Sequence, residues 1–176
     1  MPTTNKPTNL LDPLATFEQL WSPRIVASVN DYDVRIAKVK GEYVWHSHEN
    51  TDEFFMVLDG SFRIGLRTEG VEHEVVLGVG DVYVVPRGQQ HRPGSDEGAS
   101  VLMFEMSGTL TTGDYSGDIP THIDSTSGRR LDPIPAAASS RYDQLVAEGV
   151  VHPPKEPRDI DEIMAQIRAT QAPEKS

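Results

Sequence analysis

Gly41-Glu42-Tyr43-Val44-Trp45-His46-Ser47-His48 is followed, after the polar Glu49-Asn50-Thr51-Asp52, by Glu53-Phe54-Phe55-Met56-Val57-Leu58-Asp59-Gly60. Residues two apart on a strand share a face, so His46 and His48 can both aim into a barrel and chelate one ion. A tight turn through Glu49 to Asp52 lets Glu53, at the near end of the next strand, return a carboxylate to the same place. A second stretch, Gly80-Asp81-Val82-Tyr83-Val84-Val85-Pro86-Arg87-Gly88-Gln89-Gln90-His91, ends a strand in a Pro/Gly turn that delivers a third imidazole. Three neutral nitrogens and one carboxylate suit one divalent first-row ion, and Fe, Mn, Ni, Co and Zn are all compatible with them.

The period-two pattern continues outward from these stretches. Segments Ile25–Val29, Asp33–Val39, Tyr43–His48, Glu53–Leu58, Ser61–Leu66, Glu72–Leu77, Asp81–Val85 and Ser100–Met106 read as strands, being short and rich in Val, Ile, Phe and Tyr. Asp59-Gly60, Thr68-Glu69-Gly70, Gly78-Val79-Gly80, Pro86-Arg87-Gly88 and Pro93-Gly94 separate them as turn signals. Many short strands at this spacing predict an all-β sandwich or barrel rather than alternating strands and helices. Ahead of them, Asp12-Pro13 opens a short N-terminal helix over Leu14 to Trp21, closed by Ser22-Pro23.

The two stretches resemble the two sequence motifs of the cupin superfamily, G-x5-H-x-H-x3,4-E-x6-G and G-x5-P-x-G-x2-H-x3-N. The second is matched from Gly80 to His91, the first from His46 to Gly60, and nineteen residues separate them. Gly41 stands one residue too close to His46, and Ser95 takes the place of the terminal Asn, a structural position. The resemblance implies a double-stranded β-helix, or jelly roll, over residues 14–131, with the ion held by His46, His48, Glu53 and His91 inside one mouth. It also implies pairing into a homodimer. The Thr51-Asp52-Glu53-Phe54-Phe55 and Val84-Val85-Pro86-Arg87-Gly88 variants look like the group described as mannose-6-phosphate-isomerase-like, a likeness of barrels rather than of substrates.

Alternation from His46 and Glu53 turns Val44, Phe55 and Val57 inward, and Phe62, Ile64, Met103 and Glu105 are further candidates for the pocket wall. Four protein donors on an octahedral ion leave two adjacent positions open. The expected function is therefore a mononuclear metalloenzyme of isomerase or dioxygenase type acting on a small oxygen-rich molecule. The alternative is a non-catalytic binding or sensing module that uses the same pocket. Glu105, Tyr83, Arg35 and Gln90 are candidates for an acid, base or orienting group, with nothing to rank them. His73, between Glu72 and Glu74, His122 in a loop, and His152 in the tail are left out of the donor set. Protonated rings cannot ligate, so metal loss is expected as pH falls through the imidazole range.

Composition closes off other classes. With 27 acidic against 16 basic residues the formal charge is −11, and no basic footprint for nucleic acid is visible. The longest apolar run, Phe54–Leu58, is far too short to span a bilayer, and Met1 to Leu11 does not read as a signal peptide, so a cytoplasmic location is expected. There is no cysteine, hence no thiolate ligand or nucleophile.

Residues 1–13 read as an arm and 132–176 as a proline-rich tail, helical or partly disordered, since six of the thirteen prolines lie between Pro133 and Pro173. Two short helices are expected in the tail. Tyr142, Leu145 and Val146 are stopped by Gly149, and Ile160, Ile163, Met164 and Ile167 form a stripe opened by Asp159 and Glu162. The segment from Tyr142 to Pro154 resembles the tails of Phd/VapB-type bacterial antitoxins, which would give the tail a protein partner.

Overall fold

Alternation is clearest in Phe62-Arg63-Ile64-Gly65-Leu66, and in the structure Phe62, Ile64 and Leu66 are buried while Arg63 and Gly65 face out. The structure is a computed structural model that describes residues 8–131 together with Gln144, Ala147 and Glu148. The chain divides into two compact units, Met1–Ala138 and Ser139–Ser176. The first holds a short helix α1 (Leu11–Leu14) and strands β1 (Arg24–Val29), β2 (Tyr32–Glu42), β3 (Glu53–Gly60), β4 (Phe62–Thr68), β5 (Val71–Leu77), β6 (Val82–Val85), β7 (Gln90–Met106) and β8 (Arg129–Arg130).

Among the described residues the strands pair antiparallel, except for the short contact of β8 with β1, and an isolated parallel bridge joins Leu20 to Lys38. Strand β7 closes the barrel by serving both of its walls. Its first part, Gln90 to Gly94, pairs with β4. Its later part lies between β2 and β3. Between the two parts the register slips opposite Lys40, so β7 can turn from one wall to the other. One wall is thus β6-β3-β7-β2-β1-β8 and the other β5-β4-β7. Between them sits the core, with Phe55, Val57, Phe62, Ile64, Val85, Val101 and Met103 at its centre. This is the expected all-β jelly-roll barrel.

Pro93-Gly94 is not a turn, because β7 runs through it for 17 residues. Pro93 has a carbonyl but no N–H. Tyr43 N–H donates to the Pro93 carbonyl (2.9 Å) and receives nothing back, so the ladder breaks and Tyr43–His48 is extended chain rather than the expected strand. Pairing resumes only at His46, which exchanges two backbone bonds with His91 (3.0 and 2.9 Å). The N-terminal helix is one turn, Leu11–Leu14, rather than Leu14 to Trp21. Asn9 Oδ1, not Asp12, accepts from its first free N–H (Leu11, 3.0 Å). The turn stops because both the amide and the hydroxyl of Thr16 fold back on the Pro13 carbonyl, at 3.1 and 2.8 Å. Of the first expected tail helix only Gln144, Ala147 and Glu148 are described, with Glu148 N–H donating to the Gln144 carbonyl at 2.8 Å. The second helix and the proline-rich stretch lie outside the described residues, as does the antitoxin-like contact.

Candidate metal centre

His46 and His91 are brought face to face by their backbone bridge, and their ring centroids lie 4.2 Å apart. Each donates Nδ1–H to a carbonyl two residues back along the chain, His46 to Val44 and His91 to Gln89, both at 3.0 Å. Those bonds fix the tautomer and turn both Nε2 lone pairs inward. Two residues beyond His46, His48 presents its own Nε2 from the same side. Glu53 enters at the first position of β3, with Oε2 2.8 Å from His91 Nε2 and 3.6 Å from His48 Nε2. The four donors lie within 4.8 Å of one another, and all four residues are buried.

Does this geometry fit an ion? Donors about 2.1 Å from a shared ion lie up to about 4.2 Å apart, so adjustments of a few tenths of an ångström bring all four into contact. The electrostatics agree. His46 Nε2 and His48 Nε2 are buried with no hydrogen-bond partner, and an unsatisfied buried acceptor costs roughly 1–3 kcal/mol. Burial holds the His46 ring well below its ordinary pKa, His48 at about 4 and His91 also below it, so all three favour the neutral, ligating form. Glu53, fully desolvated, is pushed up to about 7. A cation satisfies both the lone pairs and the carboxylate.

Behind Glu53 stands Glu105, itself fully buried and paired with the fully buried guanidinium of Arg35. Burial and the Glu53 carboxylate push Glu105 upward, and Arg35 pulls the other way. Arg35 is further held by the Thr109 carbonyl (3.2 Å) and by Asp33 (3.5 Å), so it is locked in place and not turned toward a substrate.

A small cavity of about 30 Å³ runs inward from His46 and Glu53, walled by Phe55, Phe62, Met103, Trp21, Tyr43 and Thr111 among others. Three of the expected wall residues, Phe55, Phe62 and Met103, therefore line it. Val44, Val57, Ile64 and Glu105 are buried but lie off the lining. Tyr83 packs on the core rather than the cavity. Tyr43, which alternation from His46 placed on the far face, reaches the cavity because the register slips by one residue between Tyr43 and His46. Its hydroxyl is buried close to that of Thr111, and burial pushes its pKa up, so it stays protonated.

Outside the donors, a cleft of about 570 Å³ reaches His48 beside Ser107 to Leu110 and Asp114. Asp114, which carried no signal in the sequence, clamps this loop to the site. It accepts from the Ser47 amide (2.6 Å), the Ser47 hydroxyl (2.9 Å) and Gln90 Nε2 (3.1 Å), and its own N–H donates to the Ser47 carbonyl (3.0 Å). Gly113 makes the approach possible. At φ +51° it leaves no room for a side chain, since a Cβ there would stand 2.1 Å from the Ser47 carbonyl oxygen. Ser95, in the place of the motif's Asn, bonds the Ser61 carbonyl (2.7 Å) and the Gly98 amide (3.1 Å), tying β4 to the bend in β7. His73 and His122 are exposed and stand outside the donor cluster, and His152 lies outside the described residues.

Residues 34–106 match the cupin domain family Cupin_2. The uncharacterized protein YdbB of Bacillus subtilis (strain 168) is 39% identical over 67 residues, 38% of this chain and 57% of its own length. The match thus spans little more than half of that relative. A crystal structure of a cupin-2 domain containing protein from Shewanella frigidimarina is 38% identical with a TM-score of 0.53, covering 56% of this chain and 93% of that one. Protein NMB1881 from Neisseria meningitidis is 27% identical with a TM-score of 0.51, covering 58% and 100%.

Proposed function

The chain belongs to the cupin superfamily, and from that premise we propose that it is a mononuclear metalloenzyme acting on a small oxygen-rich molecule, by isomerase- or dioxygenase-type chemistry. One observation carries the reading: three imidazole Nε2 atoms and Glu53 Oε2 converge in a buried pocket, two of the nitrogens having no other partner. His46, His48, Glu53 and His91 would hold one ion of Fe, Mn, Ni, Co or Zn. Such an ion supplies Lewis-acid polarisation of a carbonyl or hydroxyl oxygen or, with iron, oxygen activation.

The chain's own residues do the rest. Val44 and Gln89 carbonyls hold the rings of His46 and His91 in one tautomer. Tyr43 offers a hydroxyl proton to an oxygen atom in the cavity, whereas the Thr111 hydroxyl on the same wall is spent on the Asp124 carbonyl at 3.0 Å. Phe55, Phe62 and Met103 keep bulk water out. The test is metal analysis of natively purified protein beside His48→Ala, followed by assay of the metal-loaded protein against sugar phosphates, diketones and hydroxy-acids. Bound metal lost in the variant, with turnover of one class, is the expected result. Metal-loaded protein inert to the whole panel argues against an enzyme.

The small volume of the inner cavity favours a second reading, a non-catalytic binding module. It predicts ligand-dependent thermal stabilisation without turnover in the same panel.

A further inference from the structure

Ala37 and Val39 on β2, and Val101 and Met103 on β7, turn apolar side chains into the core. Toward the metal donors these rows change character. Asp33 and Arg35 on β2 and Glu105 on β7 are buried there in their place. The registers set three carboxylates side by side. Asp33 pairs directly with Glu105, and the ladder that pairs Phe54 with Phe104 places Glu53 on the other flank of Glu105. Like charges on facing strand positions destabilise a sheet. Arg35, fully buried, offsets this by pairing with Glu105 and, at 3.5 Å, with Asp33. Even so, a buried ion pair is seldom more stable than apolar residues of the same size, so packing alone gives no reason for the row to be charged. What Glu105 touches next supplies one. Its side chain hydrogen-bonds that of Glu53, whose Oε2 faces His91 and His48.

We propose that Glu105 is a positioning residue for the metal centre: anchored by Arg35, it holds Glu53 so that one carboxylate oxygen turns toward the three imidazoles. The assignment rests on the metal reading above and extends it by one shell of contacts. Glu53 has a long, rotatable side chain, and freedom removed before an ion arrives does not have to be removed by the ion. The rings of His46 and His91 are fixed in the same sense by the Val44 and Gln89 carbonyls. Glu105 does for the carboxylate what those carbonyls do for the rings. Groups that orient a ligand in this way are worth about 10- to 100-fold in metal affinity.

Chelator competition with Co(II) on the full chain, read beside the visible absorption spectrum of the Co(II)-loaded protein, tests this. Glu105→Gln presents an N–H to Glu53 and a carbonyl to Arg35, so affinity and spectrum close to those of the parent are expected. Arg35→Met/Glu105→Met replaces the whole pair by apolar residues of similar size, an exchange that buried ion pairs commonly tolerate, and removes the bond to Glu53. It is expected to keep its near-ultraviolet circular dichroism, to bind Co(II) about 10- to 100-fold more weakly and to show an altered spectrum. Should that variant not fold, Arg35→Met/Glu105→Gln, which keeps the bond but frees its anchor, is expected to lose at least about 10-fold. Affinity and spectrum equal to the parent's in whichever double variant folds, or Glu105→Gln as damaging as that double variant, would overturn the positioning role and leave the metal centre standing. A parent chain that takes up neither Co(II) nor Mn(II) removes the metal centre itself, and this proposal falls with it.

Discussion

Before an ion binds, burial lifts Glu53 to about 7 and holds His48 at about 4. The sign of the pH dependence follows. Below pH 7 Glu53 carries a proton that an incoming ion must displace, so affinity is expected to fall about tenfold per pH unit from 7 downward and to level off above it. Burial lowers all three rings, and His48 adds to the slope only near pH 4, lower than the ordinary imidazole range expected from the sequence. Competition against a metal-buffering chelator between pH 4 and 8 measures the slope, and a slope near three between pH 5.5 and 6.5 would show that the rings titrate normally. At the same scale, Glu105→Ala leaves the fully buried Arg35 with the neutral Thr109 carbonyl at 3.2 Å and Asp33, its one remaining carboxylate among the described residues, at 3.5 Å. Breaking one side of a buried pair costs about 3–5 kcal/mol, and a large drop in the urea midpoint is expected. Glu105→Gln, which keeps an acceptor for the guanidinium, is expected to cost less.

At the scale of elements, the loop carrying Asp114 and the bend in β7 decide how closed the site is. Gly113→Ala places a Cβ against backbone, which cannot rotate away, at a left-handed φ. A loss of about 1–3 kcal/mol is expected, with faster amide exchange at Ser47 and Asp114. Gly70→Ala is the control: φ is +80° but nothing lies within 4 Å, so only the backbone penalty of about 1–2 kcal/mol applies and the Ser47 amide keeps its protection. Equal exchange at Ser47 in both variants would remove the clamp from the account. The elements also show where local reading stops. Strands β3 to β6 were legible because alternation and turn residues act within a few positions. β7 is legible only from Ser100 onward because Pro93-Gly94 has the composition of a turn. The missing proline donor was instead absorbed by breaking the ladder to Tyr43.

For the whole molecule, an ion that binds only the folded barrel stabilises it by mass action. At a hundred times its dissociation constant the gain is about 2.7 kcal/mol, which for a domain of this size is about 5–10 °C in melting temperature. Scanning calorimetry with metal and with chelator measures it. His48→Ala is expected to abolish the difference, and an equal shift in that variant would mean that the stabilising ion binds elsewhere.

The sequence by itself determined the alternating strands, the turns and the spacing that makes His46, His48, Glu53 and His91 candidate donors, because each depends on neighbours a few residues away. Only the tertiary structure decided that Asp114 grips Ser47, 67 residues distant, that Glu105 meets Arg35 across 70, and that Tyr43 points into the cavity. The reason is physical: those contacts depend on the register between segments far apart in the chain, and a register slip of one residue exchanges the inward and outward faces of a strand.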